Sequence, residues 1–287
     1  MEQKNHIQET EKLLGRLDDL HASMEVPYGK SRDEIWEAMQ RKMTAEVKPV
    51  RLWIHPVRMR FLWAAATLAL LMGLGALLRF YHHTIRTAPG QMVTVTLPDK
   101  STAVLNAQSK LTWYPLWWTF SKKVVFTGEA FFKGPHGKRF SVKSARGTVA
   151  VLGTSFDIYA RKDNYRVVCF TGKVRVTSRT KNRIILTPGE KAEVNTMGEI
   201  TFSKKIKTSN YNAWTDHQFV FTATPIASVL AEMVRRYNVK IDLEKAVSES
   251  YTGNFSAEIP VEQALNIVCK PFGLTFVKVD NQHFIIR

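Results

Sequence analysis

Glu129, Asp157 and Glu190 stand near the turns of a stretch rich in short apolar alternations. A pair of carboxylates in such a place could hydrolyse a glycan of the cell wall, one group protonating the leaving oxygen and the other attacking or activating water. Surface and turn-capping carboxylates are far commoner, so hydrolysis is the minor reading. Other constellations are thin. No G-x-S-x-G, H-E-x-x-H or C-x-x-C occurs, and GPHGKRFS, residues 134–141, has the wrong spacing for a phosphate-binding loop. His82 and His83 adjoin, but no cysteine or carboxylate within five residues completes a metal set. Cys169 and Cys269, a hundred residues apart and each among apolar neighbours, read as two buried thiols rather than a disulfide. The sequence is therefore not read as an enzyme, and no cofactor or metal is expected.

The elements around these residues are more informative. From Phe61 to Leu78, eighteen consecutive residues carry no charge and seven are leucine. A helix of that length rises about 27 Å, close to the hydrocarbon thickness of a bilayer. A buried core helix would show a polar face, and here Thr67 is the one polar side chain. The segment begins after sixty residues and has no small-residue cleavage site behind it, so it reads as an anchor rather than a signal peptide. Six Lys or Arg occupy the twenty residues before Phe61 and two the twenty after Leu78, which places the N-terminus in the cytoplasm. Trp53, Trp63, Phe80 and Tyr81 sit where interfacial aromatics belong. Ala65, Ala69 and Gly73 fall four apart on one side of the helix and would admit a second helix closely, although small residues are common in spans anyway.

The net charge of +16 divides unevenly. Residues 1–60 carry +1, residues 61–209 carry +16 and residues 210–287 carry −1. Since the excess lies beyond the membrane, direct nucleic-acid binding is not expected; an acidic partner domain, an anionic glycan or the lipid surface would feel that field, and solubility alone would also account for it.

Inside, Ile7, Leu13, Leu14, Leu17 and Leu20 form a stripe at near-helical spacing, broken at Pro27 and Gly29. A second helix opens at a capping box, Ser31 with Glu34, and carries Ile35, Trp36, Met39 and Met43 on one face. Sixty residues in such short pieces bury little surface, so the stripe calls for a partner unless the helices cover each other.

Past Thr87 the texture is all-β: MVTVTLPDKSTAVLN, KKVVFTGEAFF, TVAVLGTSFDIYA, YRVVCFTGKVRV and RIILTPGEKAEV. Gly128, Gly153, Gly172 and Gly189 punctuate them as though one strand-turn-strand unit were reused in a rolled or sandwich-like stack. VTLPDKSTAVLNAQSKLTWYP, VVFTGEAFF, VAVLGTSFDIYA and LTPGEKAEV, between Val93 and Val194, resemble the successive motifs of FecR-type transmembrane anti-sigma factors of the iron- or glycan-uptake branch. Departures are Lys100, where the family usually has Gly after Asp, and the basic segment at residues 131–140, commonly more acidic. The resemblance implies a relay: the signalling domain of an outer-membrane TonB-dependent transporter touches the regulator in the periplasm, and a cytoplasmic extracytoplasmic-function (ECF) sigma factor is released or activated, with periplasmic and intramembrane proteases as further partners. Some FecR-like proteins are cleaved at a Gly-Thr bond in the matching motif, which makes Gly153 and Thr154 a candidate self-cleavage pair. The β-hydroxyl would attack the preceding carbonyl and turn the amide into a hydrolysable ester. No dedicated base is readable nearby, and a glycine turn leading into a β-favouring threonine is the plainer reading.

At the C-terminus, TPIASVLAEMVRRYNVKIDL and IPVEQALNIVCKPFGLTFVKV superpose at an offset of 35 residues. Each reads as a helix with Pro at its first turn and Asn or Gly at its end, running into a strand. With HQFVFTA before, YTGNFSA between and a final hairpin, the order is β-α-β-β-α-β-β, two helices on one small sheet, similar to the short N-terminal domain of secretins and TonB-dependent transporters (STN). An open strand edge there could recruit the transporter's signalling domain.

The expected architecture is thus multi-domain: residues 1–57 a short α-helical cytoplasmic region that binds the sigma factor through Leu13, Leu17, Ile35, Trp36, Met39 and Met43; 58–82 a single transmembrane helix; 83–209 an all-β periplasmic domain; 210–287 a small α+β periplasmic domain. The expected function is a single-pass anti-sigma factor of the bacterial inner membrane. The alternative is a bitopic adaptor docking on a secretin-type outer-membrane complex, for which residues 1–60 need be only a tail.

Overall fold

The computed structural model describes residues 2–23, 29–44, 56–134, 139–161 and 164–287. Pro27, Lys48, Arg51, Trp53 and the centre of the basic 131–140 segment lie outside the described residues, as do the side chains of Ile7 and Arg58. The chain divides into two compact units, Met1–Ala65 and Ala66–Arg287.

In the first unit, α1 spans Glu2–Ser23 and α2 spans Arg32–Met43. The expected capping box opens α2: the Glu34 amide donates to Ser31 Oγ at 3.2 Å and the Ser31 amide to Glu34 Oε2 at 3.1 Å. Two orphan donors of the first turn are thereby satisfied. Helix α3, Pro56–Phe80, contains the apolar run; within Met59–Phe80 an 18-residue window has a mean hydropathy of 2.1 and none of that window is buried. One helix among the described residues is thus long and apolar enough to cross a membrane.

The second unit continues into strands β1 (His83–Arg86), β2 (Val93–Thr96), β3 (Thr102–Leu105), β4 (Lys110–Trp113), β5 (Lys123–Lys133), β6 (Arg139–Lys143), β7 (Gly147–Leu152), β8 (Ser155–Arg161), β9 (Asn164–Thr171), β10 (Val174–Ser178), β11 (Arg183–Leu186), β12 (Glu190–Val194) and β13 (Ile200–Ser203). They form two faces that share one strand. The first half of β5 pairs with β4 and β6, in a sheet ordered β1-β4-β5-β6-β7-β10-β11. Its second half pairs with β3 and β8, in a sheet ordered β2-β3-β5-β8-β9-β12-β13. The transfer falls at Gly128, where φ is +116° and an added Cβ would stand 2.3 Å from Ser109 Oγ and 2.6 Å from its Cα. Only glycine lets the strand pass there. Phe126, Leu111, Val142 and Val149 from one face and Phe132, Phe156, Ile158 and Val167 from the other close a common core.

After β13, α4 (Ser209–Asn212) and a 3-10 turn (Ala213–Asp216) lead into the last domain: β14 (Gln218–Pro225), α5 (Ile226–Tyr237), β15 (Lys240–Leu243), β16 (Ser250–Ser256), α6 (Val261–Cys269), β17 (Phe276–Asp280) and β18 (His283–Ile286). Pro225 and Pro260 stand just before the helices, and Asn238 ends α5 in the left-handed region with φ 55°. Ile226, Val229, Leu230 and Met233 bury one face of α5, worth about 1.5–3 kcal/mol each. The single small sheet expected from the sequence is not formed. Strands β14 and β16 make a two-stranded ribbon, and β15, β18 and β17 a separate three-stranded sheet. The reason lies in long-range pairing: β15 runs parallel to β18, and a register shift in β14 between Phe221 and Thr224 interrupts its ladder. Phe219 and Phe255 of the ribbon and Phe284 and Ile286 of the sheet still meet in one core.

Candidate functional site

The residues expected to hold a sigma factor are all exposed. Leu13 and Leu17 on α1, and Ile35, Trp36, Met39 and Met43 on α2, face solvent, and no residue of α2 is buried. The spacing of four between Leu13 and Leu17 on α1, and of three from Trp36 and four from Ile35 to Met39, then four to Met43, on α2, puts each set on one helix face. Trp36 is 59% exposed, an unusual position for the largest apolar side chain of a short helix. Such a surface can accept an apolar groove or another amphipathic helix. Along α3, Ala65, Ala69 and Gly73 are likewise exposed, and a Cβ added at Gly73 would meet nothing within 4 Å.

A second cluster was not legible as a site. Within the second unit, Glu129 on β5 and Asp157 on β8 are buried, with Arg166 of β9 between them. The Arg166 guanidinium stands 3.2 Å from Glu129 Oε1 and 3.8 Å from Asp157 Oδ1, and lies over the rings of Tyr159 and Tyr211. The last domain and the segment leading to it close the cluster. Trp214 donates its indole N–H to Asp157 Oδ2 at 3.3 Å, and Asn106 Nδ2 donates to Glu129 Oε2 at 2.7 Å and to Glu232 Oε1 of α5 at 3.3 Å. Arg235 forks onto Glu232 Oε2, while its carbonyl accepts from the Gly90 amide at 2.7 Å. Burial, then the charge of Glu232, push the Glu129 carboxyl up. Burial, then Glu129, push Asp157 well above the usual carboxylate range. Burial alone would lower Arg166, but Asp157 and Glu129 outweigh it and hold the cation.

This geometry corrects the expectation for these acids. Glu129 and Asp157 are not surface groups: both are buried, Glu129 against Asn106 and Arg166 and Asp157 against Arg166 and Trp214. Glu190 does cap a turn, accepting from the Thr187 amide at 2.7 Å. The missed signal was a charge at an inward position: Asp157 interrupts Phe156 and Ile158, both buried, and Arg166 lies between Tyr165 and Val167, also buried.

Gly153 and Thr154 form the corner between β7 and β8. Gly153 has φ 64°. Thr154 is buried, its hydroxyl has no hydrogen-bond partner among the described residues, and its carbonyl accepts from the Gly134 amide at 3.0 Å. Cys169 and Cys269 are both buried and free. No group of three or more metal-ligating side chains occurs among the described residues.

Two family models match the chain, that of the FecR protein over residues 83–175 and that of the FecR C-terminal region over residues 218–286. The chain belongs to the FecR family of anti-sigma factors. Two crystal structures of a candidate anti-sigma factor from Parabacteroides distasonis ATCC 8503 share the fold, with TM-scores of 0.65 and 0.66 at 29% identity. The likeness covers 71% and 72% of this chain and 98% of each of those. No curated protein matches the sequence. Membership of the FecR family makes a sigma factor the general class of partner. Within the matched region Lys100 adopts φ 69°, in the turn before β3.

Proposed function

We propose that this FecR-family chain relays a periplasmic signal from an outer-membrane TonB-dependent transporter to a cytoplasmic ECF sigma factor, controlling transcription of iron or glycan uptake genes. The carrying observation is the exposed apolar face of α1 and α2, centred on Trp36, ahead of the one helix among the described residues that is long and apolar enough to span a membrane. The surplus of Lys and Arg before Phe61 supports an N-terminus in the cytoplasm and an inner-membrane location. Residues 1–57 then hold the sigma factor, residues 58–82 cross the bilayer with Ala65, Ala69 and Gly73 as a close-approach face, and residues 83–209 and 210–287 are the periplasmic β and STN-like domains. Signal passage follows either from a partner that binds two states of the chain unequally or from proteolysis.

The Gly153–Thr154 bond is the proposed internal cleavage point, supported by the buried Thr154 hydroxyl, which has no hydrogen-bond partner among the described residues. Its oxygen would add to the Gly153 carbonyl carbon, the C–N bond would break with the proton passing to the Thr154 nitrogen, and water would open the ester.

The test is capture of the detergent-solubilised full chain from its native cells, beside a Trp36→Ala, Met39→Ala variant. An ECF sigma factor should co-purify and be lost in the variant, since truncating a central tryptophan costs an interface about 2 kcal/mol or more, over tenfold in affinity. Capture of a secretin-type complex without a sigma factor would instead support the adaptor reading.

A further inference from the structure

The path of the chain after α3 carries an inference about the bilayer itself. Helix α3 ends at Phe80 and β1 starts at His83, so two residues separate them. Strand β4 pairs antiparallel with β1, Arg86 opposite Lys110 and His83 opposite Trp113. Each step along β4 therefore returns toward the helix end, and the loop from Tyr114 to Phe120 leaves the strand at that level. Side-chain contacts fix the placement. The Arg79 guanidinium lies 5.7 Å from the Tyr114 ring and 5.8 Å from the Trp117 ring, and the His82 and Tyr114 rings are 6.2 Å apart.

The loop sorts its apolar residues into two sets. Trp118 turns inward, 6% exposed and packed on Phe140 in the β core. Leu116 and Phe120, on either side of it, turn outward at 45% and 73% exposure, and the Trp117 ring rests 4.8 Å from that of Phe120. Lys122 and Lys123 follow after Ser121. Outward apolar residues, an aromatic pair and flanking lysines at the exit of a membrane helix match what the headgroup region of an anionic bilayer accepts.

We infer that the Tyr114–Phe120 loop is a second membrane contact, in which Leu116 and Phe120 enter the headgroup and upper acyl layer of the bilayer crossed by α3, with Lys122 and Lys123 at its phosphates. This rests on the reading of α3 as a membrane span. It fixes the β domain against the bilayer at two points, the helix and the loop, so that the domain does not swivel freely on a single tether.

The test places a nitroxide on single introduced cysteines of the full chain in liposomes of phosphatidylethanolamine and phosphatidylglycerol. The unsubstituted chain, whose cysteines are buried, is the blank. Thr119→Cys reports the loop, Leu71→Cys the middle of α3, and Met197→Cys, in the exposed turn between β12 and β13, the aqueous side. Collision with oxygen over a water-soluble nickel complex should be favoured at 71 and 119 and disfavoured at 197. In a Leu116→Glu, Phe120→Glu background the preference at 119 should be lost while that at 71 stays. A label at 119 that behaves like 197 while 71 is in lipid overturns the loop contact and leaves the span intact. Preference at 119 that survives the two glutamates also overturns it. Nickel access at 71 overturns the span, and the loop contact with it.

Discussion

Arg166 has the most consequential surroundings of any single side chain described. It is the cation that stands between two buried carboxyls, and removing it leaves both without that charge. Arg166→Met should cost about 3–5 kcal/mol in the unfolding of the second unit, read as a lowered denaturant midpoint. Asp157→Asn should be mild, because the amide still offers an oxygen to the Trp214 indole while the charge that burial penalises is gone. The pair also sets a pH dependence. Glu129 and Asp157 hold their protons to higher pH in the folded chain than in the unfolded one. Between the ordinary carboxylate range and those raised values the folded chain binds more protons, so stability declines as pH rises through that window. A series of thermal midpoints from acid to neutral pH should show that decline, shallower in Asp157→Asn; an unchanged slope would remove Asp157 from the account.

Among the elements, β17 stands out as an edge. It pairs with β18 on one side, and Val277 and Val279 are exposed on it. An apolar strand with no second strand partner among the described residues is a template for added strands, and natural sheets usually blunt such edges. If the transporter's signalling domain docks by strand addition here, Val277→Lys, Val279→Lys should abolish its co-purification with the full chain while leaving the thermal midpoint unchanged, since neither side chain is in the core. The contrast between β17 and the helices also shows what the sequence made legible. The capping box at Ser31 and Glu34, the breaks at Asn238 and Gly273 and the alternation of the β strands are local signals, readable from a few neighbours. Division of the last domain into two sheets was not readable, because the parallel partner of Ile241 is Phe284, more than forty residues away. The charged cluster failed for the same reason: Asn106, Glu129, Asp157, Arg166, Trp214 and Glu232 come from separate elements and meet only in the fold.

For the molecule as a whole, the corner at Gly153 and Thr154 matters through topology. If this bond opens, the full chain should run as two bands under denaturing conditions and as one in Thr154→Ala; a single band of intact length in both would end the cleavage reading. The corner is where the chain steps from the first sheet to the second, β7 lying in one and β8 in the other. Upstream strands hold downstream ones through six residue pairs between β5 and β8 and five between β7 and β10. A nick at the corner would therefore leave two polypeptides clasped by backbone ladders and a common core, with no loss of shape. The covalent thread between the membrane helix and the last domain would be gone, and the join would bear load through non-covalent contacts alone: the two strand seams, the shared core and pairs such as Arg166 with Glu129. A steady pull that an intact chain resists could then draw the halves apart, so the nick would convert a permanent linkage into a releasable one.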